Sequence, residues 1–319
     1  MLRIIDRTFS CLDNMSQDIS ALLSFLELLI ATEPDGIELS GQMFELLSPL
    51  PEYAGYILRI EKEADKAKFP KFCRFVCRNA AKQDEKTICE ILLNDMRESY
   101  TISRYKDYKR IRIRGLSDII TTDYLQVFAH LQKVFHGEIE YCPTNRYSFA
   151  TALASEWLVN GSGSTVVTSF GGIGGFAPTE EVIMILKLER LRKVGKNYSL
   201  FPEMADLLRK ITGNPIRMDK PIIGNRIFHV ESGIHVDGIL KNPKCYEPFL
   251  PESVGLRRNI VIGKQSGTAA VKAKLDEIGI AYTPEQIPKM LEQIKANSDQ
   301  KNRALTDKEL IEIARGCVA

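Results

Sequence analysis

The first two-thirds of the chain alternate between short apolar runs, typical of buried strands, and longer stretches with the apolar spacing of a helix. The runs that predict strands are Leu2 to Ile5, Gly36 to Leu39, Tyr56 to Ile60, Cys73 to Cys77, Ile88 to Leu93, Arg110 to Arg114, Ile139 to Cys142 and Thr165 to Phe170. The clearest predicted helices are Asp18 to Thr32, Thr121 to Phe135 and Thr179 to Val194. This alternation predicts parallel strands joined by crossover helices, and so many strands within residues 1–195 favour an α/β fold of the TIM (β/α)8 barrel type. The connections between residues 50 and 110 are short for such a barrel, so we expect irregular structure there.

The alternation of predicted strands and helices stops near residue 196. From there prolines interrupt the pattern and glycine-containing segments follow. Two capping boxes, Thr283 to Gln286 and Thr306 to Glu309, predict the starts of two closing helices. The polar stretch 296–302 predicts a hinge between them. We therefore expect a barrel domain over residues 1–195 and a smaller helical linker and lid region over residues 196–319.

Composition excludes several classes of protein. The 43 Lys and Arg residues nearly balance 41 Asp and Glu, which leaves a formal net charge of +2 and argues against a nucleic-acid binder. The most apolar stretch, Ala21 to Thr32, is short for a membrane span and contains Glu27. The seven cysteines show no pairing pattern, and the chain starts on a strand-like run rather than a secretion leader, so we expect a cytoplasmic protein.

The densest group of chemically active side chains lies between Phe228 and Gly238, which contain two of the four histidines, two carboxylates and a serine. A histidine there can act as general acid or base, with a carboxylate fixing its tautomer. A structural turn whose histidines hydrogen-bond the backbone explains the same composition equally well. The spacing matches no familiar zinc site.

Two glycine-rich turns are further candidates for ligand binding. Phe170 to Phe176 directly follows a predicted strand, and its backbone N–H groups could cradle an anion. Gly263 to Gly267 places Lys264 between two glycines, where it could hold a carboxylate or a phosphate. In both segments a plain turn is the simpler alternative.

Asn225 to Gly267 closely resembles the linker and lid region of the homocitrate synthase and 2-isopropylmalate synthase family, with the nitrogen-fixation type of homocitrate synthase the most similar. The matching segments are His229, Glu231 to Gly238, Leu240 to Pro243, Pro251 to Gly255 and Gly263 to Gly267. Weaker similarity extends over the whole chain, through Ile4 to Asp6, Gly36 to Glu38 and Phe149 to Ala152. The resemblance implies a TIM barrel followed by lid subdomains in a domain-swapped dimer.

The resemblance also implies a reaction and the residues that serve it. The family adds acetyl-CoA to a 2-oxo acid in a Claisen-type condensation, with a divalent metal (Mg, Mn or Zn) holding the oxo acid. In the family the lid of one protomer reaches over the barrel of the other, which implies that His235, with Tyr246 and Glu231, serves the catalytic chemistry of a neighbour. The implied substrate-binding residues are Glu38, Gly172, Gly174 and Ser232.

The barrel positions on which that reaction depends are altered here. After the first strand, Ser10 replaces the catalytic arginine of the family and Cys11 replaces the aspartate that follows it. On the strand that carries two metal-binding histidines in the family, Cys142 and Thr144 stand in their places. The glycine-rich loop lacks the metal-binding asparagine of the family and the sixth strand lacks its substrate-binding threonine, whereas Glu38 is retained.

These replacements predict an inactive barrel. Condensation builds negative charge on oxygen, which the metal and the arginine of the family stabilise, and cysteine, threonine and proline do not supply the ligands of a hard divalent ion. We therefore expect that this chain binds no metal cofactor, is inactive alone, and forms a homodimer or a heterodimer in which it donates its lid to a related catalytic subunit. The alternatives are a stand-alone acyltransferase, making homocitrate or a related 2-alkylmalate, and a non-catalytic pseudoenzyme that binds acetyl-CoA or a 2-oxo acid. A zinc–thiolate site or a disulfide at Cys11 and Cys142 is a further alternative to two buried free thiols.

Overall fold

The computed structural model describes residues 1–15, 18–78, 80, 85–191 and 197–317. Eight parallel strands follow one another around a closed barrel, and the first strand completes the ring by pairing with the eighth. The strands are β1 (Arg3–Asp6), β2 (Gly36–Ser40), β3 (Tyr56–Arg59), β4 (Phe75–Cys77), β5 (Thr87–Leu93), β6 (Arg110–Gly115), β7 (Glu138–Pro143) and β8 (Thr165–Thr168). The TIM-barrel fold expected from the apolar runs is therefore confirmed.

Helices cover the barrel unevenly. The α-helices of this part of the chain are α1 (Ile19–Ala31), α2 (Gly41–Leu47), α3 (Tyr124–Val134), α4 (Ala150–Val159), α5 (Thr179–Leu188) and α6 (Phe201–Thr212). Between β3 and β6 the described connections contain only the 3₁₀ helices Glu63–Lys68 and Met96–Tyr105, which is the irregularity expected there. The helix predicted to reach Val194 ends at Leu188, and residues 192–196 lie outside the described residues. No helix in the described ranges has both the length and the apolar character needed to cross a bilayer.

An aromatic cluster fills the space between the barrel wall and the helices α3 and α4. The ring of Trp157 lies 4.9 Å from that of Phe128 and 5.4 Å from that of Tyr141, measured between centroids. The Trp157 indole also donates a hydrogen bond of 3.1 Å to the carbonyl oxygen of Thr165, so its one polar atom is satisfied although the side chain is fully buried.

The chain forms two compact units, residues 1–217 with 221–223 and residues 218–220 with 224–319. Helix α6 packs against α1 and so lies in the first unit, whereas the division inferred from sequence, at residue 196, precedes α6. The second unit contains β9 (His229–Val230), α7 (Gly233–Lys241), β10 (Asn259–Ile260), α8 (Thr268–Glu277), α9 (Gln286–Lys301), α10 (Asp307–Gly316) and the 3₁₀ helices Pro243–Cys245 and Pro251–Val254. β9 and β10 pair in parallel, and α8, α9 and α10 share an apolar core around Met290 and Leu310.

The two helix starts predicted in this unit have different outcomes. Thr306 and Glu309 form the expected reciprocal capping box at the start of α10. At α9 the helix begins at Gln286, whose side chain accepts a hydrogen bond from the Thr283 backbone. The hinge predicted over residues 296–302 is wrong, because the buried stripe of α9 continues to Ser298 and the helix extends to Lys301. Its C-cap is Asn302, which has a positive φ of 48°.

Replacing Trp157 with alanine should lower the free energy of unfolding by about 3–5 kcal/mol, because it leaves a cavity where an aromatic ring was fully packed. Urea unfolding followed by circular dichroism measures this change. The control is Tyr147→Ala on a loop, where the side chain is 46% exposed, and it should shift the free energy by roughly 0.5 kcal/mol or less. Equal losses from the two substitutions would contradict the placement of Trp157 in the core.

Candidate functional site

The barrel encloses a network of buried arginines and glutamates. Arg112 on β6 is fully buried, and its guanidinium contacts both Glu38 on β2 and Glu140 on β7, the second at 2.8 Å. Arg59 bridges two carboxylates, with its Nε 2.8 Å from Glu38 and its Nη2 2.5 Å from Glu90. Buried charges of this kind persist only when they are paired and hydrogen-bonded.

The arginines keep the two central carboxyl groups ionised. Burial by itself would raise the pKa of Glu38, but the charges of Arg112, Arg59 and Arg7 outweigh it and hold the pKa well below its usual value. The pKa of Glu90 is lowered by the same balance. Glu38 also accepts a hydrogen bond of 2.8 Å from the Ser10 hydroxyl. Its oxygens are therefore engaged by protein groups, and its predicted role in substrate binding stays a prediction.

Arg7 and two thiols occupy the end of the barrel just beyond β1. The Arg7 guanidinium donates a hydrogen bond of 3.5 Å to the Cys142 sulfur and lies 4.1 Å from the centre of the Phe176 ring. Burial raises the pKa of the Cys11 thiol to about 11 and also raises that of Cys142, so both remain protonated near neutral pH. Both cysteines are free, so the disulfide considered from the sequence does not form here.

The donor groups at this end of the barrel do not fit a hard divalent ion. Within the described ranges, no cluster of three or more His, Cys, Asp or Glu side chains is arranged to hold a metal. The Thr144 hydroxyl lies 2.5 Å from the Ser117 hydroxyl. Asp6 accepts hydrogen bonds from the Thr179 hydroxyl (2.5 Å) and from the backbone of Thr8 (2.8 Å), and burial raises its pKa. Asp6 thus joins β1 to the start of α5.

The glycine-rich segment after β8 forms a tight turn. Gly172 and Gly174 have φ angles of 74° and 72°, in the region that glycine adopts at least cost. The Gly172 N–H donates to the Ser169 carbonyl at 2.9 Å, and a side chain at Gly174 would lie 2.9 Å from the Cys11 sulfur. Turn geometry accounts for these glycines, and their role in substrate binding stays a prediction.

The two residues predicted to be catalytic in the second unit lie side by side on its surface. His235 on α7 is exposed, and its ring centroid is 5.9 Å from that of Tyr246, which is 47% exposed. Gly238 makes this pairing possible, because a Cβ at that position would lie 2.3 Å from the Tyr246 ring. An imidazole and a phenol in this arrangement can exchange protons with a molecule that approaches the face.

Glu231 holds the turn that supports α7. Its carboxylate accepts a hydrogen bond of 2.8 Å from the backbone of Gln265. The backbones at Gly233 and Gly267 approach so closely that a Cβ on Gly233 would lie 2.6 Å from the Gly267 Cα. This close approach explains why glycine stands at positions 233 and 267. It also fixes the start of the helix that carries His235.

The other polar residues singled out in the lid motif and in the turn Gly263 to Gly267 contact residues of the same unit or lie at a helix end. Lys264 pairs with Asp299 at 2.7 Å, and the His229 ring lies 3.4 Å from the Asn259 amide. Ser232 is the N-cap of α7, but its side chain makes no capping hydrogen bond. The second unit therefore brings together His235, Tyr246, Glu231 and Ser232, whereas Glu38, Gly172 and Gly174 lie in the first unit.

Sequence reasoning missed the arginines that line the barrel. The sequence does carry a signal for these arginines on β6. Arg110, Arg112 and Arg114 alternate there with isoleucines and therefore share one face of the strand. Charged residues at every second position of a strand in a closed barrel point to a polar interior or a polar mouth.

Comparison with known proteins identifies the family to which the chain belongs. Residues 222–302 match the family described as "Homocitrate synthase post-HMGL domain-like". The "Homocitrate synthase, omega subunit" of Clostridium pasteurianum is 32% identical in an alignment that covers 97% of this chain and 94% of that protein. The chain belongs to the homocitrate synthase and 2-isopropylmalate synthase family. The resemblance seen in the lid motif is thereby confirmed.

Other members of the homocitrate synthase and 2-isopropylmalate synthase family match over shorter stretches. "Homocitrate synthase AksA" of Methanothermobacter thermautotrophicus is 38% identical over 54% of this chain and 44% of that protein. "2-isopropylmalate synthase 2" of Caldanaerobacter subterraneus is 42% identical over 54% of this chain and 46% of that protein. A solved hydroxymethylglutaryl-CoA lyase from Pseudomonas aeruginosa aligns with a TM-score of 0.54 at 13% identity, over 67% of this chain and 93% of that chain, which supports the barrel fold.

Replacing Glu38 with glutamine should lower the free energy of unfolding at neutral pH by about 3–5 kcal/mol, because it leaves buried guanidinium charge without its partner. The folded-state pKa of Glu38 is depressed, so its stabilisation is present above the unfolded pKa, about 4.3, and is lost as pH falls through the folded value. Urea unfolding at several pH values should show the difference between the two proteins shrinking at acid pH. Glu85→Gln, at an exposed pair with Lys109, is the control, and an equal loss there would contradict the prediction.

Thiol titration should separate the cysteines by burial. Cys73 and Cys245 are exposed and should react first with a disulfide reagent in the native protein, while Cys11 and Cys142 react slowly because their thiols stay protonated. In denaturant without reductant all seven cysteines should titrate. The double variant Cys73→Ser, Cys245→Ser should lose the fast phase, and a total of five thiols in the denatured wild type would reveal a disulfide.

Proposed function

We propose that this chain is a non-autonomous subunit of a homocitrate synthase, and that it donates the face bearing His235 and Tyr246 to the barrel of a catalytic partner subunit. The observation that carries the proposal is a contrast within one chain. In the second unit His235 on α7 and Tyr246 in the turn after it are retained and exposed, whereas the metal-ligand positions of the barrel hold Cys142 and Thr144.

The unit that carries His235 also exposes several large apolar side chains. Ile234 is 81% exposed, and Leu240 and Leu250 are about half exposed in the same unit. Apolar side chains that are exposed together with a functional residue are typical of surfaces that a partner covers. A barrel mouth on a related subunit would bury them and bring the imidazole to a bound substrate.

The name of the full-length relative agrees with this arrangement. That protein is called an omega subunit, and a subunit name implies an assembly of more than one kind of chain. The similarity covers nearly the whole of both proteins, so the lid and the altered barrel fall within it. It supports a subunit role for this chain as well.

In the proposed assembly the residues of each chain determine which part of the reaction that chain serves. The partner barrel would hold acetyl-CoA, the 2-oxo acid and the divalent ion, which supplies Lewis-acid stabilisation of the oxyanion. His235 would transfer a proton at the reacting acetyl group or at the product oxygen, and Tyr246 would hydrogen-bond its ring. Glu231 would act as a positioning residue, since it fixes the turn beneath α7.

The direct test is an activity assay of the full chain alone and with its partner. With acetyl-CoA, 2-oxoglutarate and Mg²⁺ or Mn²⁺, the purified chain alone should release no CoA above background. Addition of the synthase subunit that co-purifies with the tagged chain from its native host should give homocitrate. Condensation by the chain alone would refute the proposal.

In that mixture His235→Gln should lower kcat by about 10²–10⁴-fold, as expected for loss of a general acid or base, with little change in KM. His136→Gln, an exposed histidine in the first unit, is the matched control and should leave kcat unchanged. Gel filtration of both variants with the partner shows whether the assembly is intact. Full activity of an intact complex that contains His235→Gln would exclude the proposed role.

A further inference from the structure

We propose that a cavity at the amino ends of β3 and β4 is a binding site for a small molecule that combines a flat aromatic ring with an anionic group. The cavity has a volume of about 1000 Å³ and lies within the first unit. Its walls come from the end of α2, the segment that leads into β3 and the segment that leads into β4. The lining residues all fall within 44–56 and 68–74.

The cavity lies away from the end of the barrel at which enzymes of this fold carry out their reactions. Tyr56 is the first residue of β3, and Arg74 directly precedes β4. The active sites of TIM barrels lie at the opposite, carboxyl ends of the strands. Between β3 and β4 the chain forms the 3₁₀ helix Glu63–Lys68, where a regular barrel has an α-helix, and the loop after it forms one wall. The cavity therefore belongs to a different part of the barrel from the positions that the family uses.

Aromatic rings from three segments form much of the wall. Phe44 on α2 packs edge-on against Phe69 and Phe72, with the ring centroids 5.6 Å and 5.1 Å apart. Tyr53 and Tyr56 pack in the same manner at 5.1 Å. Aromatic pairs prefer this edge-to-face geometry, so a flat ring can add to either group through the faces and edges that remain open.

The two tyrosines are fixed by hydrogen bonds to the backbone. The Tyr53 hydroxyl donates to the carbonyl oxygen of Pro34 at 2.6 Å, and the Tyr56 hydroxyl donates to that of Pro51 at 3.1 Å. Their polar atoms are therefore engaged, and the rings offer the cavity apolar surface. Binding sites for small molecules are usually preformed in this way.

Three cations and one carboxylate also line the cavity; the cations are Lys68, Lys71 and Arg74, and the carboxylate is Glu45. Lys68 is paired with Asp65 at 2.8 Å. Arg74 is paired with Glu140 at 3.3 Å. Lys71 is exposed, and within the described part of the chain neither a hydrogen bond nor an ion pair engages its ammonium group. A lysine without a partner beside apolar walls favours an anionic group on the ligand, with which it can form a charged hydrogen bond.

The volume indicates the size of the ligand. Sites for small molecules enclose roughly 300–1000 Å³ and are lined mainly by apolar and aromatic side chains with a few polar groups. This cavity stands at the upper end of that range, which suits a ring joined to a charged group better than a lone ring or a lone anion. Nucleoside monophosphates and aromatic carboxylates both have this character.

Fluorescence titration of the full chain with 1-anilinonaphthalene-8-sulfonate tests the site, because this dye joins aromatic rings to one anionic group. Binding should be saturable in one-to-one ratio. N-phenyl-1-naphthylamine has the same rings without the sulfonate and should bind about tenfold or more weakly, since it lacks one charged hydrogen bond. Equal affinities would overturn the preference for an anion, and the absence of saturable fluorescence would overturn the site.

Competition against the bound dye identifies the anionic group. Displacement by AMP would assign it as a phosphate, and displacement by indole-3-acetate would assign it as a carboxylate. Failure of both compounds to displace the dye would overturn the proposed ligand class.

Cys73 reports independently where the dye binds. It lines the cavity and is exposed, whereas Cys245 is an exposed cysteine of the second unit. With the dye at ten times its Kd, mass action leaves about one-tenth of the sites open, so alkylation of Cys73 by iodoacetamide should slow about tenfold. Alkylation of Cys245 should be unchanged, with both sites quantified by peptide mass spectrometry. Protection of both cysteines, or of neither, would refute the assignment of the cavity.

Substitution of Lys71 tests the role of the charge. Lys71→Gln should weaken dye binding about tenfold, the loss expected for one charged hydrogen bond, while Lys71→Arg should bind as the wild type does. Lys133→Gln removes the same charge from an exposed position on α3 and should leave the affinity unchanged. Wild-type affinity in Lys71→Gln would refute the role of this lysine. These measurements use no partner subunit and no acetyl-CoA, so their failure would leave the subunit proposal standing.

Discussion

The pairing of Arg112 with Glu38 and Glu140 is the interaction on which the barrel interior depends. A guanidinium with no exposed surface is tolerable only if carboxylates surround it, and each carboxylate in turn needs its own cations. That requirement links strands β2, β6 and β7 at their centres and brings Arg59 and Glu90 into the same network. The interior is thereby specified by charge balance as well as by apolar packing.

The two units retain different parts of the family pattern. In the second unit, the contact of Gly233 with Gly267 and the hydrogen bond from Gln265 to Glu231 preserve the geometry beneath His235. In the first unit the fold is preserved, but the ligand chemistry is replaced by thiols and hydroxyls that bond to protein groups. This contrast between the two units is the one that the proposed division of labour between subunits requires.

The sequence predicted the strands well because each apolar run is a local signal that a buried strand needs. It also singled out His235 and Glu231, because the lid motif is contiguous, and their catalytic role stays a prediction. It did not reveal that Arg59 would meet Glu90, because that contact joins different strands and exists only after the barrel closes. The polar composition of residues 296–302 suggested a hinge, but the burial of Ile294 and Ser298 extends the helix, and tertiary packing outweighed local composition.

The arc of the barrel from β3 to β6 has a consequence for the dynamics of the protein. Its described connections hold only 3₁₀ helices, whereas the α-helices α3, α4 and α5 follow β6, β7 and β8. Local opening costs least where few apolar contacts are broken. We therefore expect amide hydrogens on this arc to exchange through smaller fluctuations than those beside Trp157. The ion pair of Arg59 with Glu90 adds a side-chain link between β3 and β5 to the backbone ladders that join neighbouring strands.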